Sequence, residues 1–122
     1  MTGRHGEGFT RSARIRCRRE FLSLGRSGER RVSGHFVFIV QKSPNPVRLG
    51  ITVSRKVGGA VVRNLLKRRV RESFRRHPMR SRLTGDLLVI ARAGVGAVAG
   101  GVVAREVGAV MEMMGRRQTG SR

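Results

Sequence analysis

RLGITVSRKVGGAVVRNLLKRRVRESFRR, residues 48–76, contains the change of period on which the fold turns. Val47, Leu49, Ile51 and Val53 alternate with Arg48, Gly50, Thr52 and Ser54, the two-residue rhythm of a half-buried strand. Ser54-Arg55-Lys56 reads as a turn, and Gly58-Gly59 opens the next element. From there Val62, Leu66, Val70 and Phe74 recur every four residues, which predicts a helix over 60–76 with one buried stripe. Arg63, Lys67, Arg68, Arg71 and Arg75 fall on the opposite arc, and His77-Pro78 ends the helix.

Upstream, residues 32–41 read as a strand with Phe36, Phe38 and Val40 on one face and His35, Val37 and Ile39 on the other. Lys42-Ser43-Pro44-Asn45-Pro46 reads as a turn, and the strands on either side of it are expected to pair antiparallel. Arg14-Ile15-Arg16 suits a short extended piece, and residues 18–24 a short helix carrying Phe21, Leu22 and Leu24, stopped by Gly25 and Gly28. Downstream, residues 86–92 form a nearly continuous apolar run, which suits a central strand covered on both faces. A Gly/Ala/Val loop over 94–101 leads to a last helix, about 102–115, burying Val103, Val107, Val110, Met111 and Met114. The expected architecture is α+β, a small two-layer α/β sandwich in the order helix-strand-strand-helix-strand-helix. Residues 1–12 are read as a disordered basic segment, 13–115 as a single α/β domain and 116–122 as a disordered basic tail.

The chain has 122 residues, enough for one domain, with 27 Lys+Arg against 7 Asp+Glu and a formal charge of +20. Self-repulsion at that level weakens the compact state, and an anionic partner is the usual compensation. Hydrophobic residues make up 39%, in clear periodic runs, so the chain is a folded domain and not a disordered polycation. Its single cysteine, Cys17, excludes an internal disulfide and reads as an ordinary small side chain. No apolar signal segment is legible at the N-terminus, and the most apolar stretch, 87–104, is broken by Arg92 and glycines. The expected setting is cytoplasmic, with no membrane and no DNA as partner.

Little in the sequence points to catalysis by the protein itself. Glu7, Glu20, Glu29, Glu72, Asp86, Glu106 and Glu112 are scattered, and His5, His35, His77 and Cys17 show no metal-ligand spacing. Gly94-Val95-Gly96 lacks the remaining glycine and acidic partner of a dinucleotide loop. Ser54 has no evident base.

The positive signal is the basic arc. Five cations along one helix repel each other in isolation; facing phosphates they gain Coulomb energy and release counterions. Arg63 and Asn64 add planar hydrogen-bonding groups. Arg55 and Lys56 lie near the helix N-terminus, which favours anions. The strand face His35, Val37, Ile39, with Phe21 beside it, reads as a groove for single-stranded RNA; Phe21 serves equally well as core between helix and sheet.

The run over 48–75, the RIRCRREF block at 14–21 and the DLLVIARAG block at 86–94 together resemble the bacterial ribonuclease P protein component, in order and with family-like spacing. The resemblance implies an α/β sandwich with a left-handed crossover. It implies a protein that binds a catalytic ribonuclease P RNA and the 5′ leader of precursor tRNA, while the RNA cleaves that leader. Mg2+ is then bound mainly by the RNA partner, and none by the protein alone. No residue of the protein is catalytic. Arg63, Asn64, Lys67, Arg68 and Arg71 fall on the family's Arg-Asn-Arg motif and its basic continuation, with Arg14, Arg16, Arg55 and Lys56 as further RNA-binding cations. Phe21 and Ile39 fall on positions of the family's leader cleft, and the strand-face reading adds His35 and Val37 to it.

The chain departs from the family pattern at four positions. Leu65 stands for the motif's second arginine, Gly25 and Ile39 for positions often aromatic, and Gly59 for a usual asparagine. The alternative reading is a ribosomal or general RNA-binding protein with no role in cleavage.

Overall fold

The structure, a computed structural model, describes residues 28–92 and 98–120. The helix expected at 18–24, the 1–12 segment, Arg14, Arg16, Cys17 and Phe21 lie outside the described residues.

The elements run β1 (Glu29–Val32), β2 (Phe36–Pro46), β3 (Arg48–Thr52), α1 (Ala60–Arg76), a 3-10 turn (Arg80–Arg82), β4 (Thr84–Ala91) and α2 (Gly100–Gly120). One sheet, ordered β1-β2-β4-β3, carries two helices. The mixed α+β class is as the sequence implies.

Three expectations change. β1 precedes the strand read from the sequence; its ERRV composition is polar and all four residues are exposed, so no burial pattern marks it. The predicted turn at 42–46 is extended chain, the far end of β2 beyond a register shift between Gln41 and Pro46. And β3 does not pair with β2: it lies parallel to β4, which pairs antiparallel with β2 on its other side. Alternation tells which residues are covered, not which strand lies alongside. β4 takes the centre because its residues are apolar on both faces. β3 and β4 run parallel because their connection is the long crossover that carries α1.

Because β2 and β3 flank β4, residues 42–47 must pass around the end of β4. Pro46 pairs with Thr84, and the Val47 N–H donates to the Leu83 carbonyl at 3.1 Å. Gly85 sits at this passage with φ of +103°, and a Cβ there would stand 2.7 Å from the Gln41 carbonyl oxygen. Only glycine fits both the backbone angle and the approach.

Phe36 and Phe38 of β2, Leu49 of β3 and Leu87, Val89 and Ala91 of β4 face the helices. Leu66, Val70 and Phe74 of α1 fill this core as expected, with Val62 partly buried at its edge. α2 contributes Val103, Val107, Val110, Met111 and Met114. Each fully buried large apolar side chain stabilises the fold by roughly 1.5–3 kcal/mol. α2 also outruns its predicted end at Gly115, which corrects the reading of a disordered tail for residues 116–120. Two tertiary contacts hold the extra turns. Arg117 makes a two-point ion pair with Glu29 of β1, one arm at 2.8 Å. The Gln118 amide accepts from Thr84 N–H at 3.2 Å and donates to Thr84 C=O at 2.9 Å. Among the described residues, no helix is long and apolar enough to cross a membrane.

Candidate nucleic-acid interface

The buried stripe of α1 fixes which way its remaining residues point. With Leu66, Val70 and Phe74 against the sheet, Asn64 and Arg68 are exposed, and Lys67 and Arg71 are half-buried at the margin. Asn64, Lys67 and Arg68 have no side-chain partner among the described residues, and neither do Arg55 and Lys56. Their turn is closed by Val57 N–H donating to Ser54 C=O at 3.1 Å, with the Ser54 hydroxyl accepting from Lys56 N–H at 3.3 Å. Ser54 is thus a turn-former. Val57 is buried beneath, so Arg55 and Lys56 are held outward. Gly59 caps α1 without a side-chain hydrogen bond, and the first turn holds no acid, so the positive end of the helix lies close to these two cations.

Other cations of α1 do structural work. Arg63 Nε donates to the Gly58 carbonyl at 3.2 Å. Arg69 donates to the Val98 carbonyl, tying α1 to the entry of α2. Arg75 and Arg76 contact Glu72 at 3.3 and 3.2 Å. The motif helix therefore divides into cations spent on the fold and cations facing solvent, a division the sequence does not display. Leu65 is half-buried yet outside the core cluster, and Val61 beside it is 81% exposed, so the two leave an apolar spot on the basic surface.

The opposite sheet face has its own small cluster: Ile39 and Leu88, both buried, with Val37 and Ile90 packed beside them. Register sets the rows. Val32, Val37, Ile90 and Thr52 align across the sheet; so do Arg30, Ile39, Leu88 and Gly50; then Gln41, Asp86 and Arg48. Val37 and Ile39 are thus brought together, Val37 being the more open. His35 is not: it precedes β2, and its Nδ1 lies 2.5 Å from Glu106 Oε2 on α2, in the helix layer. The strand parity that placed it with Val37 fails because the chain is no longer extended there. Arg30, Leu88 and Ile90 were missed as members of this face, since only the β1-β2-β4 register reveals them.

Glu106 also accepts from the Ser33 hydroxyl and from His35 N–H at 3.1 Å. Burial by itself raises its carboxyl pKa; the hydrogen bonds from Ser33 and His35 outweigh that and hold it below the ordinary value. Glu29 is likewise lowered, chiefly by its hydrogen bond from Arg117. Among the described residues no three His, Cys, Asp or Glu side chains group as a metal site.

A sheet under two helices, with Asn64, Lys67 and Arg68 turned to solvent on the outer side of α1, defines a small nucleic-acid-binding protein of the α+β class. The chain belongs to the ribonuclease P protein family: the family model "Ribonuclease P" matches residues 9–115. The ribonuclease P protein component of Syntrophus aciditrophicus is 36% identical over 102 residues, 83% of this chain and 86% of that protein. That of Desulfovibrio desulfuricans is 38% identical over 116 residues, covering 91% and 89%. The solved Staphylococcus aureus RNase P protein superposes with a TM-score of 0.73 at 29% identity, over 83% of this chain and 94% of that one. The Thermotoga maritima RNase P protein gives 0.67 at 34%, over 84% and 96%. The family's complex is a tRNA-processing endoribonuclease, so the chain is a subunit of an enzyme.

Proposed function

We propose that the chain binds the catalytic ribonuclease P RNA through the solvent arc of α1 and supports removal of the 5′ leader from precursor tRNA in the cytoplasm. The observation that carries this reading is the set Asn64, Lys67 and Arg68, unpartnered among the described residues on a helix whose other side is core. Phosphates neutralise such an arc and release counterions. Arg55 and Lys56, held outward beside the same helix end, extend it, with Arg71 on the same side and Arg63 nearest the N-cap. Arg14 and Arg16, outside the described residues, are proposed as further RNA-binding cations. Val37, with Ile90, offers the leader an apolar seat, and Phe21 would complete it.

The hydrolytic chemistry is assigned to Mg2+ on the RNA. The protein's own carboxylates suit a cation poorly. Among the described residues Glu29, Glu72, Asp86, Glu106 and Glu112 each already face an arginine or a histidine. The protein then contributes position and charge.

The test is reconstitution with a bacterial ribonuclease P RNA and a precursor tRNA at low Mg2+. A large protein-dependent gain in correct 5′ cleavage is expected. RNA binding without any gain would mean a general RNA-binding protein. Lys67→Gln and Arg68→Gln are expected to lower the slope of log affinity against log salt by roughly 0.7–0.9 each.

A further inference from the structure

Between α1 and the start of α2 lies an open groove of about 710 Å³. Its α1 wall carries Arg68, Arg69, Ser73 and Arg76; its α2 wall is Gly100 and Ala104. One acid, Glu72, lines it too, but it already contacts Arg75 and Arg76. The far wall is small by composition: a Cβ added at Gly100 would meet nothing within 4 Å. A chain with bulk can therefore come close to the backbone there, facing Arg68 and Arg76, while Arg69 is held by the Val98 carbonyl. The first turn of α2 also holds no acid.

We propose that this groove seats a phosphodiester strand of the catalytic RNA, so that the RNA wraps over the edge of α1 and reaches α2. The inference rests on the RNA-binding reading above and extends it from Arg68, shared by the arc and the groove, to the α2 wall. The groove opens next to Arg68, so one RNA can occupy the arc and the groove without a break. It lies in the helix layer, on the side of the sheet away from the Val37–Ile39 row, so a strand here is distinct from one on that row. Arg76 supplies the mobile charge: its side chain is 72% exposed, and it can leave Glu72 to Arg75 when a phosphate arrives.

The test uses the full chain and an in vitro transcribed bacterial ribonuclease P RNA, with affinity measured from 50 to 200 mM salt. Arg76→Gln is expected to weaken binding on the order of tenfold at the low end and about threefold at the high end, a slope change of about 0.9. Gly100→Glu should weaken it as well while Tm holds or rises, since glycine is a poor helix former and an acid suits a helix start. Gly100→Gln, of equal size and uncharged, should stay within roughly twofold of the parent. Unchanged RNA affinity in both Arg76→Gln and Gly100→Glu overturns the groove seat, and so does an equal loss for precursor tRNA alone. Lys67→Gln separates the two readings: if it weakens RNA binding and the groove variants do not, only the groove proposal fails; if all three bind as the parent does, the RNA-binding reading falls with it.

Discussion

Arg48 of β3 and Asp86 of β4 are direct cross-strand partners, and their side chains close a two-point ion pair, Nε to Oδ1 and Nη2 to Oδ2, both at 3.0 Å. The pair staples the edge strand to the centre at the N-terminal ends of both strands. Both groups are partly buried, 29% and 15% exposed, so solvent screens the pair only in part. A double-mutant cycle with Arg48→Met and Asp86→Asn is expected to give a coupling of about 1 kcal/mol by denaturant unfolding. RNA affinity of Asp86→Asn should not fall, because no cation is removed.

Leu65→Arg adds a guanidinium at the position where the sequence resemblance leads one to expect an arginine. Leu65 packs outside the core cluster, so stability should move by less than about 1 kcal/mol. RNA affinity should rise, with a salt slope steeper by roughly 0.7–0.9. Unchanged affinity would mean that neighbouring arginines already occupy the phosphates in question.

Gly85→Ala tests the passage around β4. Both the positive φ and the 2.7 Å approach to the Gln41 carbonyl oppose a Cβ, and the clashing atom is backbone. The expected loss is about 1–3 kcal/mol. RNA affinity extrapolated to the folded fraction should be unchanged.

Glu106 gives the acid limb of stability a specific source. Its folded pKa lies below the ordinary 4.5. Its contribution is therefore present above that value and lost as pH falls through the lower folded one. Glu106→Ala removes the acceptor for Ser33 and His35 and should cost about 1–3 kcal/mol near neutrality. Glu106→Gln keeps an acceptor but no charge, so its Tm should vary less between pH 5 and pH 3 than the parent's.

Much of the fold was legible where periodicity is strong. The α1 stripe of Leu66, Val70 and Phe74, the α2 stripe and the apolar centre of β4 stand as their spacing implies. Pairing was not legible. Val47 to Ser54 alternates in the same way whether its neighbour is β2 or β4, and ERRV carries no alternation at all. At the interface, residue type located the basic arc but not its division: Arg69 and Arg68 are adjacent in sequence, yet one holds the Val98 carbonyl and the other faces solvent. His35 was misplaced for a related reason, since the reach of a side chain at a strand end depends on the helix across from it.

The placement of β4 between β2 and β3 bears on synthesis. A ribosome delivers β2 and β3 first, and neither has a neighbour for the other's edge until residues 84–91 have left the exit tunnel. The nascent chain therefore holds two incomplete edges and a strongly cationic helix while still tethered, and the sheet closes by insertion of its middle strand last. Such non-local closure is slow relative to helix formation. For that interval a chain so basic, emerging from a particle made largely of RNA, is at its most exposed to the wrong polyanion.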